Sequence, residues 1–158
     1  MKKIIFPVLF GIFLVFPVSA ATVSFLVIET GLSDETGDRQ HSGLWESGLL
    51  DVFFEAGHIV SNAPIMRLDS KPPEKFPEEA IFELENALEG GVEYFIIALL
   101  EYPEKGELKP RNVVLRIFRS TTLEMIYEGQ YADNRPRTIR EDFDSLKRAA
   151  RGLVSYIK

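Results

Sequence analysis

Apolar side chains recur along the chain with two different periods. Thr22 to Glu29 (TVSFLVIE) is a short run of apolar and β-branched residues, the pattern of a buried strand. From Leu44 to Ala56 the period changes. Trp45, Leu49, Val52, Phe53 and Ala56 fall at i, i+4, i+7, i+8 and i+11 and predict one continuous helical stripe. Leu50 and Phe54 lie off that stripe, so this helix is expected to be buried on more than one side or to meet a partner. Gly57 stands where a helix closes in the left-handed conformation that glycine adopts cheaply. His58, next in line, can offer its imidazole to the terminal carbonyls. His58 to Asn62 reads as a strand. Pro64 just beyond lacks the donor a central ladder needs, which puts this strand at a sheet edge.

After a linker from Lys71 to Phe76, Pro77 suits a first helical position, and Glu78 and Glu79 complement the positive end of the helix. Ile81, Leu84, Ala87 and Leu88 give that helix an apolar face, and Gly90-Gly91 stop it. Tyr94 to Leu100 is seven apolar residues in succession, the signature of a strand covered on both faces. Asn112 to Arg119 and Leu123 to Tyr131 read as a hairpin turning at Ser120-Thr121-Thr122. Thr138-x-x-Glu141 is a capping box, in which hydroxyl and carboxylate satisfy exposed amides reciprocally. Phe143, Leu146, Ala150, Leu153, Val154 and Ile157 follow as an apolar stripe. The order β-α-β-α-β-β-β-α predicts an α/β fold: a mixed, partly parallel five-stranded sheet with helices on both faces, its last strands added antiparallel.

The first residues follow another logic. Met1-Lys2-Lys3 is basic, Ile4 to Val18 carries no charge, and Val18-Ser19-Ala20 has the small residues of a leader-cleavage site. Residues 1–20 are therefore expected to be a signal peptide cut near Ala20, with 21–158 a single α/β domain in the periplasm or outside the cell. The competing reading is a retained anchor. No charge appears from Ile4 to Ile28, although Pro7, Gly11 and Pro17 interrupt the run. On this reading a membrane is met only through that segment.

Cleavage removes two lysines and no acid, leaving 16 basic and 24 acidic side chains and a net charge of −8. Such a surface repels nucleic acid, which is excluded as a partner class. The charge is unevenly spread, at −12 over residues 21–134 and +4 over 135–158. The absence of cysteine rules out disulfides, thiolate metal sites, a cysteine nucleophile and a lipidated cysteine.

Candidate chemistry is thin. The Gly31 to Ser42 loop leaves a parallel strand's carboxyl end, where open α/β sheets bind ligands. It holds neither G-x-x-x-x-G-K-[ST] nor G-x-G-x-x-G. Asp34, Glu35 and Asp38 offer oxygens for a cation, but not at EF-hand spacing, and a solvated loop explains them as well. His41 and His58 form no H-E-x-x-H, and no G-x-S-x-G surrounds Ser33, Ser42, Ser47 or Ser61. Carboxylates are abundant enough for a hydrolase, but abundance assigns none of them. No cofactor is expected, and the chain reads as a non-enzyme, with a cation or small-ligand receptor and a hydrolase as the alternatives.

Interaction signals are stronger. Arg140, Lys147, Arg151 and Lys158 lie at helical spacing beside the final apolar stripe, a basic edge suited to an acidic partner or an anionic envelope polymer. Local pairing competes with that role, because Asp144 lies four residues from both Arg140 and Arg148. Trp45, the single tryptophan, is of the type enriched in binding hot spots, though core packing also accounts for it. Trp45, Leu50, Phe54, Arg140, Lys147 and Arg151 are the candidate partner-binding residues.

Three segments carry a family likeness. They are the strand TVSFLVIET leading into a loop and helix, the helix-glycine-strand LLDVFFEAGHIVSN, and the hairpin VVLRIFRSTTLEMIYEGQYA with Tyr127 and Gly129 as aromatic-x-Gly. With the closing helix, they resemble the envelope domain shared by CsgG, LpoB and the TolB amino-terminal domain. The chain lacks the anchoring cysteine of the two lipoproteins. The resemblance implies a non-catalytic module that works through protein contacts, its partner another envelope protein or a second copy of itself.

Overall fold

The structure, a computed structural model, describes residues 20–31, 40–72, 75–102, 109–131 and 138–157, with backbone alone at 40 and 41. In chain order they form β1 (Thr22–Thr30), α1 (Gln40–Glu55), β2 (Ile59–Asn62), β3 (Met66–Leu68) and α2 (Ile81–Glu89). There follow β4 (Tyr94–Glu101), β5 (Asn112–Arg119), β6 (Glu124–Tyr131) and α3 (Ile139–Val154). The sheet runs β2-β1-β4-β5-β6, with β3 also on β1. β2, β3 and β4 are parallel to β1, and β5 and β6 continue antiparallel. This is the mixed α/β sheet expected, with six strands rather than five. Met66–Leu68 escaped the sequence reading because three residues show no period, and Pro64 separates them from β2.

The seven apolar residues of β4 are all buried, as are their neighbours on β1. Alternation sends them to two cores. Val23, Phe25 and Val27 with Ile96, Ala98 and Leu100 face α1 and α3. Leu26 and Ile28 with Phe95, Ile97 and Leu99 face α2. Phe53 of α1 meets Phe25 edge-on at 5.2 Å, and Phe76 closes the other core against Phe118 at 5.1 Å. The helices therefore cover both faces, two on one side and one on the other.

The caps explain where the helices start and stop. Thr138 and Glu141 form the expected reciprocal box at α3. α1 ends as predicted with Gly57 at φ +88°, its N–H on Phe54 and the His58 N–H on Phe53. The His58 ring, expected on the helix carbonyls, instead has Nδ1 accepting from the Ala21 N–H at 3.3 Å. A second correction concerns α2. A 3-10 turn at Glu78–Ala80 rotates the helix, so that Ala80, Leu84 and Ala87 are buried while Ile81 and Leu88 are exposed.

α1 and α3 approach closely because Gly48 has no side chain. A Cβ there would overlap Leu146 Cδ2 and touch the Phe143 ring. Gly48→Val is therefore expected to wedge the helices apart and cost about 1–3 kcal/mol, the usual range for overpacking, in urea denaturation. A variant as stable as the parent would contradict this packing.

Burial holds the His58 imidazole below its ordinary pKa. The fold thus favours the neutral ring. Its contribution is complete above the unfolded value of about 6.5 and is lost as pH falls through the lower folded value. Between about pH 7 and pH 5, His58→Gln should lose less thermal stability than the parent, since it cannot titrate. Parallel melting curves for the two chains would remove His58 from that slope.

Candidate functional site

Glu29, one residue before the end of β1, takes the inward position after Val23, Phe25 and Val27. Its carboxylate is 1% exposed inside the domain. Arg67, its register partner on β3, donates Nε–H to Glu29 Oε2 at 2.7 Å. Ser42, in the first turn of α1, donates its hydroxyl to Glu29 Oε1. The Ser42 Oγ also lies 3.1 Å from the Tyr102 hydroxyl just past β4. One carboxylate thus ties together α1, β3 and the end of β4. Gly31 lets the chain leave, at φ +85° and so close to the Tyr102 carbonyl that a Cβ would collide with it.

This network lies at the carboxyl end of the parallel strands, where the sequence pointed. Its chemistry is that of a clamp, because the carboxylate is bound to a guanidinium and to the serine whose proton a base would have to take. His58 sits at the opposite end of β1, on Ala21. The candidate cation ligands Asp34, Glu35 and Asp38, and the His41 side chain, lie outside the described residues. Among the described residues no cluster of three or more His, Asp or Glu is placed to hold a metal.

A second concavity, of about 110 Å³, opens between α1, α3 and the β5–β6 edge, walled by Trp45, Tyr131, Leu146 and the Lys109–Asp142 ion pair. Tyr131 shares a 2.9 Å hydroxyl contact with Tyr127, whose ring packs at a tilt against Tyr156, centroids 4.5 Å apart. Burial, reinforced by that contact, holds the Tyr131 phenol well above its ordinary pKa, so it stays protonated.

The candidate contact residues separate into two sets. Trp45 and Leu50 are partly buried against the α1–α3 core. Phe54 is 70% exposed on the last turn of α1. Arg140 and Arg151 stand at the surface. Lys147 does not join them. It lies 3.2 Å from Asp51 and 3.4 Å from Glu55 of α1, over the Phe143 ring. These bonds, Asp51 foremost, raise its pKa. Asp144 pairs with neither arginine among the described residues. Sequence reading missed Glu29, Ser42, Arg67 and Tyr102. An acid at an inward strand position was the available signal for the first.

The fold defined by these elements is shared with PelC, and weaker likenesses extend to two other solved proteins. A PelC dodecamer from Paraburkholderia phytofirmans is 12% identical with a TM-score of 0.51, covering 87% of this chain and 88% of that one. TolB from Acinetobacter baumannii is 9% identical with a TM-score of 0.41, over 87% of this chain and 27% of its own. Lipoprotein GNA1162 from Neisseria meningitidis is 13% identical with a TM-score of 0.45, over 85% and 96%. No curated protein matches the chain. Residues 22–128 match the profile of a family described as "Uncharacterised protein", and the chain belongs to that family. No helix among the described residues is long and apolar enough to cross a membrane.

Breaking the buried pair should cost more than deleting it. Arg67→Met leaves the Glu29 carboxylate buried with the Ser42 hydroxyl as its partner and is expected to lose about 2–3 kcal/mol by urea denaturation. The double variant Arg67→Met/Glu29→Gln should lose less than the single one. Equal losses would mean that the pair does not hold β3 through charge.

Proposed function

We propose that this chain is an exported cell-envelope protein, active in the periplasm as an accessory or assembly factor, which works through protein contacts and catalyses nothing. The observation that carries the reading is where large apolar side chains meet solvent. Phe54 on α1, Ile59 on β2, and Ile81 and Phe82 on α2 stand on the outer surfaces of the domain. Where exposed apolar groups gather into a patch they mark sites of association, and Ile81 and Phe82, adjacent on α2, are the start of one. The basic, uncharged and small-residue pattern of residues 1–20 supports export, and cleavage near Ala20 would free the fold from Ala21 onward.

Self-association is the first contact to look for. PelC, of the same fold, forms dodecamers, and that supports homo-oligomer formation here. The likeness to CsgG and LpoB rests on the sequence segments alone.

The test is in-cell crosslinking with mass spectrometry, joined to light scattering on protein made from the complete coding sequence. The expected results are an N-terminal peptide beginning at Ala21, crosslinks to other chains, and a mass above the monomer at about 50 μM. Phe54→Ser should weaken these contacts while changing stability by no more than about 0.5 kcal/mol, as for an ordinary surface position. A monomer with crosslinks only inside the chain would sink the reading.

A further inference from the structure

α2 and α3 carry opposite unpaired charge, and they lie on opposite faces of the sheet. On one side, α2 and its leading turn hold Glu78, Glu79, Glu83, Glu85 and Glu89, with no lysine or arginine between Lys75 and Lys105. Among the described residues none of these carboxylates forms an ion pair. Glu78, Phe82, Glu85 and Glu89 follow one another at helical spacing along the exposed side, with Phe82 66% exposed and Ile81 beside it. On the other side, α3 exposes Arg140, Arg148 and Arg151, likewise without ion pairs among the described residues, and no acid follows Asp144. Ile139 and Tyr156 mark the two ends of that helix with exposed apolar groups.

We infer that the acidic, Phe82-bearing surface of α2 docks on the arginine-bearing surface of α3 of a second copy of this chain. This rests on the self-association proposed above and names its surfaces. Charge decides the geometry. Two copies meeting α2 to α2 would set five carboxylates against five, and α3 against α3 would oppose arginines, so both two-fold arrangements are repelled. Only α2 against α3 brings opposite charges together. That contact is heterologous, and it leaves each copy with an unused α2 or α3, so copies add head to tail until a ring closes or a filament grows. Arg148 and Arg151 would meet Glu85 and Glu89, and a guanidinium over the Phe82 ring adds a cation–π contact that lysine would make less well. Glu141 and Asp144 are the exposed acids of α3, and both lie in its half away from Arg151.

The test uses charge reversal on full-length protein. One chain carries Glu85→Lys and Glu89→Lys, so that its α2 presents cations at the two positions that would meet Arg148 and Arg151. The other carries Arg148→Glu and Arg151→Glu, so that its α3 presents carboxylates at the two positions that would meet Glu85 and Glu89. All four positions are exposed, and circular dichroism melts are expected to match the parent. In light scattering at low salt the parent should assemble, and each reversed chain alone should associate at least about 30-fold more weakly. An equimolar mixture should assemble with the two chains in equal number. The neutralised chain Glu85→Gln/Glu89→Gln should be weakened about tenfold, and raising salt should weaken the parent in the same direction. If the parent assembles and both reversed chains still assemble alone, or if their mixture stays monomeric, the α2–α3 contact is wrong while self-association stands. If the parent itself is monomeric, both fail.

Discussion

The chain must cover β1 and β4 from two directions at once. Phe25, Leu26 and Ile28 on one strand and Phe95, Ile96, Ile97 and Leu99 on the other are fully buried, and successive residues point to opposite faces. Burying each large apolar side chain is worth about 1.5–3 kcal/mol. An exposed ion pair is worth about 0–1 kcal/mol, so no arrangement of surface charge competes with this demand. α1 and α3 answer it on one face and α2 on the other. The outward sides of those helices consequently point in opposite directions, and whatever each helix presents to solvent is presented on a separate side of the molecule. The acidic α2 and the arginine-bearing α3 thereby stand on opposite sides of the molecule, while Asp51 and Glu55 of α1 lie beside α3 and hold Lys147.

The same demand explains which features could be read from residue types alone. A seven-residue apolar run has one structural outcome, and the Thr138–Glu141 box is local, so β4 and the start of α3 follow from the chain without tertiary knowledge. The rotation of α2 does not. Its apolar positions fit a face through Ile81 and Leu88, but the 3-10 turn at Glu78–Ala80 makes Ala80 the inward residue and turns the larger side chains out. Lys147 is a parallel case. Its helical spacing placed it with Arg140 and Arg151, whereas the close approach of α1 at Gly48 brings Asp51 and Glu55 within its reach. The Glu29 network is the least legible. Ser42, Arg67 and Tyr102 join it from elements far apart in sequence, and nothing local marks them.

A buried carboxylate and its half-buried guanidinium give little net stability, since desolvation offsets their attraction. Their use here is positional. β3 is only three residues long, too short for its side chains to define a register against β1. Arg67 opposite Glu29 supplies that definition, because a slip of one residue would carry the guanidinium to the other face of the sheet and leave the carboxylate unpaired. Ser42 and Tyr102 extend the constraint to α1 and the end of β4, so the strand end, the helix start and the Gly31 exit are fixed together.

The sheet edges bear on where another chain can attach. An exposed edge strand invites pairing with a second copy, and proteins blunt such edges with short strands, proline and charge. β2 is four residues long, Pro64 follows it without a donor, and Asn62 is turned to Glu46 of α1 at 2.6 Å. β6 carries Glu124 and Glu128, and its register shifts against β5 at Ile117/Phe118. Growth of the sheet from copy to copy is thus opposed at both ends. What remains open to a partner is the pair of helical layers, where apolar side chains and unpaired charges stand together at the surface. Association through helices rather than strands also leaves the doubly covered core untouched, so the contacts that fold each domain need not change when domains meet.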